Sequence, residues 1–145
     1  MEKLNRPIRV CGMVRNVDEP GGGPFWVKDP TGEKSLQIVE KAQIDPDSRQ
    51  QRAILAASTH FHPGDLVCGV RDCQGRPFDL RQYLDPNAIL ISKKSKGGKD
   101  LKALEHPGLW NGGMAHWNTV FIEIPRSTLH PVKEILDLLS PEHKT

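Results

Sequence analysis

Apolar and polar positions along the chain form short blocks that predict strands separated by glycine and proline turns. The first block, Ile8 to Val14, is a strand candidate, and the segment EPGGGPFWV after it has the composition of a loop. The blocks FWV and SLQIVEKAQI are separated by the turn-forming segment KDPTGEK. We therefore predict a β-hairpin that carries Leu36, Ile38 and Glu40 on one face.

Two segments have the pattern of helices. In DPDSRQQRAILAAS, Asp and Pro precede a run of good helix formers, and Pro63 and Gly64 close the region. In STLHPVKEILDLLSPEHK, apolar residues recur at helical spacing after a Ser or Thr that could cap the first turn. This pattern predicts an amphipathic helix packed on the sheet through Leu129, Val132, Ile135, Leu136 and Leu139.

Further apolar runs complete the predicted sheet. Asp65 to Asp72 reads as a short continuous apolar strand, and CQGRPF would turn the chain into a second hairpin with FDLRQYLDPNAILIS. The run with Val120, Ile122 and Ile124 reads as a buried strand. Because strands and helices are mixed, we predict an α/β fold, a mixed sheet with a few flanking helices.

Length and composition limit the class of protein. A chain of 145 residues fits one domain. No apolar run is long enough to cross a bilayer and the N-terminus lacks the pattern of a signal peptide, so we expect a cytoplasmic protein with no membrane partner. Three cysteines without CxxC spacing agree with a reducing compartment. A net charge of +2 makes nucleic acid an unlikely general partner.

Two segments could bind phosphate through different groups. Gly21, Gly22 and Gly23 could cradle oxygens with backbone N–H groups, although the motif is neither a P-loop nor a dinucleotide fingerprint, and it could equally be a connecting loop. The lysine segment, Lys93 to Lys102, contains five lysines around Gly97-Gly98. It could be a solvated face, or a loop that places Lys94 and Lys96 on a phosphate.

Histidine and cysteine residues raise a third hypothesis. His60 and His62, with Cys68 and Cys73 nearby, could bind zinc, or they could be buried or hydrogen-bonded side chains. Their spacing matches no closed structural zinc pattern. No nucleophile elbow or ordered hydrolase triad is present, so we assign no catalytic residue.

The segment LWNGGMAHWNTVFIEIP places Asn111, Gly112 and Gly113 just before a predicted strand. Asn-Gly is a turn signal, but glycines also let backbone approach a ligand and an amide can both donate and accept hydrogen bonds. Together with Glu40 at the end of LQIVE, this segment resembles the sugar-binding half of the sugar-phosphate nucleotidyltransferases, especially the UDP-N-acetylhexosamine pyrophosphorylases. The resemblance implies that Glu40 accepts hydrogen bonds from sugar hydroxyls and that the side chain of Asn111 holds the sugar.

The chain as a whole resembles the C-terminal region of a bacterial family, a domain of unknown function in longer proteins, through the blocks VCGMVRN, EPGGGPFW, STHF, DLVCGV, KSK and PGLWNG between Arg9 and Leu139. In those proteins an N-terminal half carries a glycine-rich segment similar to the nucleotide-binding loop of nucleotidyltransferases, which this sequence lacks. The resemblance implies the acceptor-side portion of a nucleotidyltransferase-like Rossmannoid domain.

We therefore expect a single domain, residues 1–145, that forms the C-terminal part of a longer or split protein. It would bind a sugar phosphate or nucleotide sugar and be inactive alone, completed by an N-terminal nucleotide-binding half in trans. Mg²⁺ is expected only in the complete enzyme. The alternative is a non-catalytic binding or regulatory module that recognises a phosphorylated ligand or nucleic acid through the lysine segment. The expected substrate-binding residues are Glu40, Asn111, Gly112, Gly21, Gly22, Gly23, Lys94 and Lys96.

Overall fold

The central strand of the molecule is β1, Ile8–Arg15, as the first apolar block predicts. The structure is a computed structural model that describes residues 3–16, 21–132 and 134–143. On one side β1 pairs in parallel with β8, Asn118–Glu123. On the other it pairs antiparallel with β5, Leu66–Gly69, and at its far end with β4, His60–Phe61. The result is a mixed sheet in which β1 has neighbours on both sides.

A β-hairpin packs against this sheet. Strands β2, Gly23–Lys28, and β3, Lys34–Val39, pair antiparallel, which confirms the first predicted hairpin. Asp29 closes the turn by accepting hydrogen bonds from the Thr31 hydroxyl and the Glu33 N–H. The hairpin contributes Ile38 to the core, where it packs with Cys11 and Met13 of β1 and with partly buried side chains of Leu66, Trp110 and Phe121.

Helix α1, Arg49–Ala56, follows the hairpin along the chain and precedes β4. It confirms the first predicted helix. Ser48 caps it, because its hydroxyl accepts a hydrogen bond from the N–H of Gln51. Short 3-10 turns flank the other elements at Lys41–Gln43, Leu80–Tyr83, Arg126–Thr128, Ile135–Leu139 and Pro141–His143. Within the described ranges, no helix has both the length and the apolar character that crossing a bilayer requires.

The C-terminal amphipathic helix was a wrong prediction. In the described part of residues 126–143 the chain forms only short 3-10 turns, and Ile135 and Leu136 are 80% and 68% exposed. Pro131 explains the break, because proline has no N–H to donate and disfavours helical conformation in the residue before it. Helical spacing of apolar residues was therefore not sufficient to form a helix here.

The lysine segment is a hairpin and not a loop. Strands β6, Leu90–Lys96, and β7, Lys99–Glu105, pair antiparallel around Gly97 and Gly98, which have φ angles of 61° and 74°. Positive φ at both central residues is the geometry of the tight turn that joins twisted strands. Strand β6 also lies beside the 3-10 turn Lys41–Gln43.

Two further sheet predictions need correction. The segment after β5 makes only a local turn, closed by an isolated bridge between Arg71 and Pro77, so no second hairpin joins it to β6. The strand predicted to be buried, β8, is half exposed, with Val120 46% and Ile122 51% exposed. Val120 lies opposite Val10 of β1, so the sheet face that carries both side chains is open to solvent.

Candidate functional site

Two cavities adjoin at the β2–β3 hairpin: the larger lies between the hairpin and residues 110–119, and the smaller is lined by residues 21–22, 38, 40–42, 62–64 and Trp110. The smaller has a volume of about 420 Å³ and the larger of about 740 Å³. Ile38 and Trp110 line both of them and form the wall between them. Pockets of a few hundred Å³ with a small number of polar groups are typical of small-molecule sites.

The smaller cavity, called the Glu40 cavity below, brings together three of the predicted substrate-binding residues, Gly21, Gly22 and Glu40. Glu40 follows the last residue of β3 and is half-buried, and its backbone N–H donates a hydrogen bond to Gln43 Oε1 at 2.9 Å. Within the described residues its carboxylate has no ion-pair partner. The Glu40 carboxylate forms a capping box with Gln43 at the start of the 3-10 turn, and it keeps further lone pairs that can accept hydrogen bonds from a ligand.

Glycine is required at position 22 by close packing. A Cβ atom there would lie 2.8 Å from Ile38 Cγ2 and 3.4 Å from the carbonyl oxygen of Val39. The carbonyl of Gly22 also accepts a 2.8 Å hydrogen bond from the N–H of His62. The glycine segment, Gly21 to Gly23, is thereby held against both β3 and the chain after β4. Gly23 is the buried first residue of β2 and does not line either cavity.

His62 and Trp110 form the inner wall of the Glu40 cavity. Their rings meet edge to face with centroids 4.7 Å apart. His62 Nδ1 lies 2.9 Å from the carbonyl oxygen of Gly12, so Nδ1 carries the proton and donates it. Burial lowers the pKa of His62, opposed by the hydrogen bond to Gly12 and by Asp65, with Arg9 adding to the lowering. His62 is therefore a neutral, fixed structural group at neutral pH.

The larger cavity is a groove lined by aromatic and basic side chains, including Trp26, Trp117, Lys28 and Lys34. Gly112 lines this groove and not the Glu40 cavity. Trp26 is 69% exposed, whereas Trp117 is buried and its Nε1 has no hydrogen-bond partner in the described part of the chain. We call this cavity the Trp26 groove.

Arg9 lies behind the Trp26 groove and is 2% exposed. Its guanidinium donates to Thr119 Oγ1 at 2.9 Å and to Gln37 Oε1 at 2.8 Å, and both of these residues line the groove. Burial lowers the pKa of Arg9 from its ordinary value, while nearby Cys11 and Cys68 oppose the shift. Among residues 3–16, 21–132 and 134–143 no carboxylate forms an ion pair with it, so a buried positive charge lacks a counter-charge.

Asn111 is buried and lines neither cavity. Its Nδ2 donates to the carbonyls of Ala88 (3.0 Å) and His106 (3.3 Å), and its Oδ1 accepts from the Gly108 N–H at 3.2 Å. Through these bonds the Asn111 amide holds segment 106–112 in place, and this segment carries Trp110 between the cavities. The direct sugar contact expected for Asn111 stays a prediction, and the geometry gives this residue a positioning role.

The two lysines expected to bind phosphate lie on the β6–β7 hairpin. Lys94 Nζ is 2.8 Å from Glu105 Oε1, and Lys96 is the cross-strand partner of Lys99. Neither Lys94 nor Lys96 lines the Glu40 cavity or the Trp26 groove. Their contribution to a phosphate site stays a prediction.

The zinc hypothesis receives no support from the geometry. Within the described ranges, no three His, Cys, Asp or Glu side chains converge as a metal site. His62 is bonded to Gly12, while His60 contacts the Thr59 hydroxyl and lies 3.5 Å from a carboxylate oxygen of Glu123. Cys68 and Cys73 are exposed free thiols.

Sequence reasoning missed Arg9 and Trp110 as site residues. The signal for Arg9 was present, because a charged residue in the apolar block IRVCGMV occupies a position that strand alternation buries. Trp110 precedes the Asn-Gly motif directly, but no local pattern places its ring against that of His62, which lies far earlier in the chain.

The chain matches a family model over residues 1–144, described as "Domain of unknown function (DUF4301)", and it belongs to that family. No curated protein matches it. Two solved structures of UDP-glucose pyrophosphorylase mutants from Leishmania major have a similar fold, with TM-scores of 0.54 and 0.53 and 17% identity. The second of these was solved in complex with UDP-glucose. Each comparison covers 95% of this chain and 31% of the other, so the chain spans about a third of the length of those proteins. The α/β prediction and the resemblance to part of a nucleotidyltransferase fold are thereby confirmed.

Proposed function

We propose that this member of the DUF4301 family binds a sugar phosphate or nucleotide sugar in the Glu40 cavity, as the sugar-side part of a nucleotidyltransferase-like protein. The observation that carries the proposal is the meeting of Glu40, Gly22 and Trp110 in one cavity of about 420 Å³. The fold shared with part of UDP-glucose pyrophosphorylase supports it. The solved relative holds UDP-glucose, and the ligand of this chain is our inference.

Glu40 supplies the polar recognition. A carboxylate accepts charge-assisted hydrogen bonds, and vicinal sugar hydroxyls can donate two of them to its two oxygens. Because the Glu40 carboxylate is half-buried and has no ion-pair partner among the described residues, a ligand does not have to displace an existing salt bridge. Lys41 also lines the cavity beside it.

Trp110 and the glycine segment determine the shape of the Glu40 cavity. An indole ring offers a large apolar surface with one polar N–H, which suits the C–H face of a sugar ring. The absence of a side chain at Gly22 lets this segment pack directly on Ile38 of β3, and the segment then lines one side of the cavity. Asn111 acts indirectly by holding the segment that carries Trp110.

Group transfer requires more than this site. Attack of a sugar phosphate on a nucleoside triphosphate depends on positioning both reactants and neutralising charge, for which Mg²⁺ is the usual ion. The described residues contain no converging group of three metal ligands, so no transfer step is derived from this chain. We propose that an N-terminal nucleotide-binding half, in cis or in trans, supplies the triphosphate site and Mg²⁺.

The lysine segment provides less support for nucleic-acid binding. Lys93 pairs with Lys102 and Lys96 with Lys99, and these two pairs lie on opposite faces of the β6–β7 hairpin because they are an odd number of positions apart. No aromatic residue lies between Leu90 and Glu105 to stack with bases. The hairpin thus lacks the single basic, aromatic surface that nucleic acid requires.

The test is calorimetric titration of the purified chain with glucose 1-phosphate and with N-acetylglucosamine 1-phosphate. We expect Glu40→Gln to weaken binding about tenfold or more, because a hydrogen bond to a charged group contributes roughly 1.5 to 3 kcal/mol. Asp100→Asn removes an exposed carboxylate that lines neither cavity and serves as the control. Equal affinities for wild type and Glu40→Gln, or no binding of either sugar phosphate at millimolar concentration, would refute the proposal.

A further inference from the structure

We propose that the Trp26 groove binds the phosphate of the same ligand, so that a sugar phosphate lies across the wall formed by Ile38 and Trp110. Its sugar would contact Glu40, and its phosphate would lie beside Gln37 and Thr119 in the field of Arg9, while Lys28 and Lys34 add positive charge farther along the groove. The inference rests on the proposed function for the sugar part only. The groove is defined independently of the Glu40 cavity, so the two can be tested separately.

The buried charge of Arg9 is the first reason. A guanidinium is charged at any physiological pH, and taking it out of water is costly unless an anion or several hydrogen bonds compensate. Arg9 has two neutral acceptors, Gln37 Oε1 and Thr119 Oγ1, and no carboxylate partner in the part of the chain that the structure describes. Its field in the protein interior is weakly screened, so it favours an anion in the groove that Gln37 and Thr119 line.

The rim of the groove is the second reason. Lys28 and Lys34 are direct cross-strand partners in the β2–β3 hairpin. Like charges placed opposite each other destabilise a strand pair, so an anion held in the groove that they line would reduce the repulsion. Neither lysine has an ion pair within the described ranges, and neither does Arg6, which also lines the groove. Lys3, by contrast, is 2.6 Å from Glu33.

The continuity of the two cavities is the third reason. Trp110 and Ile38 line both, so the two cavities adjoin and a ligand in the Glu40 cavity lies next to the groove. The carboxylates that line the groove have other contacts: Glu33 pairs with Lys3, Asp29 caps its turn, and Asp85 accepts from the N–H of Asn87 at 2.9 Å. The four cations that line the groove outnumber its three carboxylates, and the buried charge of Arg9 adds to this positive balance.

The experiment compares two double variants of equal charge change by calorimetry at low salt. Lys28→Ala/Lys34→Ala removes the rim cations, while Arg49→Ala/Arg52→Ala removes two exposed cations from α1 that line neither cavity. The probes are glucose 1-phosphate and inorganic phosphate. We expect the rim variant alone to lose about tenfold or more in affinity for both probes, with the loss shrinking at high salt.

Two further variants complete the design. Arg9→Met should also weaken binding of inorganic phosphate if the variant folds, and the rim variant keeps the test decisive if it does not. Lys94→Ala/Lys96→Ala tests the competing placement of the phosphate on the β6–β7 hairpin. Unfolding by denaturant should show that the rim variant is at least as stable as wild type, because it removes a like-charge pair.

The outcomes separate this inference from the proposed function. Weaker glucose 1-phosphate binding in Glu40→Gln but unchanged binding in the rim variant would leave the sugar site standing and overturn the groove as phosphate site. Weaker phosphate binding in the rim variant with no effect of Glu40→Gln would support the groove and overturn the sugar site. A loss confined to Lys94→Ala/Lys96→Ala, or equal losses in the rim and α1 variants, would also overturn the groove.

Discussion

The imidazole of His62 and the indole of Trp110 meet edge to face with ring centroids 4.7 Å apart. This contact joins the chain after β4 to the segment before β8, and Trp110 forms part of the wall between the Glu40 cavity and the Trp26 groove. The hydrogen bond from His62 Nδ1 to the Gly12 carbonyl fixes the imidazole on the central strand. We expect changes at His62, Asn111 and Gly112 to alter the stability of the fold, and we expect no group transfer by this chain alone.

The ionisation of His62 should make the stability of the fold depend on pH. Burial lowers its pKa in the folded state, so the unfolded chain binds more protons at acidic pH. Stability from this group is therefore fully present well above the ordinary pKa of about 6.5 and is lost as pH falls below it. His62→Asn keeps a donor for Gly12 but does not titrate. We expect the unfolding free energy of wild type to fall more steeply than that of His62→Asn as pH is lowered from 8 to roughly 5. Parallel curves of unfolding free energy against pH, measured by urea denaturation, would contradict the prediction.

Asn111→Ala should destabilise the fold. The substitution leaves the partly buried hydrogen bonds to the carbonyls of Ala88 and His106 without their side-chain donor, which costs about 1 to 3 kcal/mol. Ligand affinity should fall as well, because the position of Trp110 depends on this segment. Chemical denaturation and calorimetry on the same variant distinguish a positioning role of Asn111 from direct contact with the sugar. Lost affinity with unchanged stability would instead identify Asn111 as a direct ligand of the sugar.

Gly112→Ala should cost more stability than Gly75→Ala. Both glycines have similar positive φ, 78° and 82°, so alanine is strained by about 1 to 2 kcal/mol at either position. A Cβ at Gly112 would also collide with the Ala88 side chain and lie 3.0 Å from the Asp85 carbonyl, whereas a Cβ at Gly75 has no atom within 4 Å. Overpacking adds roughly 1 to 3 kcal/mol. Equal losses in urea denaturation would show that the loop around Gly112 relaxes freely.

The chain alone should not turn over any pair of nucleoside triphosphate and sugar phosphate. Phosphoryl transfer requires both reactants to be positioned together with charge neutralisation, and the proposed site holds only the sugar side. Addition of the N-terminal nucleotide-binding half, fused or in trans, should produce pyrophosphate release that Glu40→Ala impairs. Robust pyrophosphate release by the 145-residue chain without that half would contradict the proposal that this chain supplies only the sugar side.

The sequence by itself determined the local elements whose signals are short-range. Apolar content identified β1, the turn around Asp29 identified the β2–β3 hairpin, and Asp and Pro before a run of helix formers marked α1. Gly21 to Gly23 and Glu40 were also expected to bind the ligand; Gly21, Gly22 and Glu40 line one cavity, and their binding role stays a prediction. These features depend on backbone preferences and on residues that are close along the chain.

Tertiary structure decided what distant segments do to one another. Pairing of Lys94 with Leu101 made a strand of a segment that reads as a basic loop. The amide of Asn111 could have faced a ligand or the backbone, and only the positions of Ala88 and His106 decided that it faces the backbone. Side-chain hydrogen bonds go to whichever partner folding brings within reach, and for buried groups that partner comes from elsewhere in the chain.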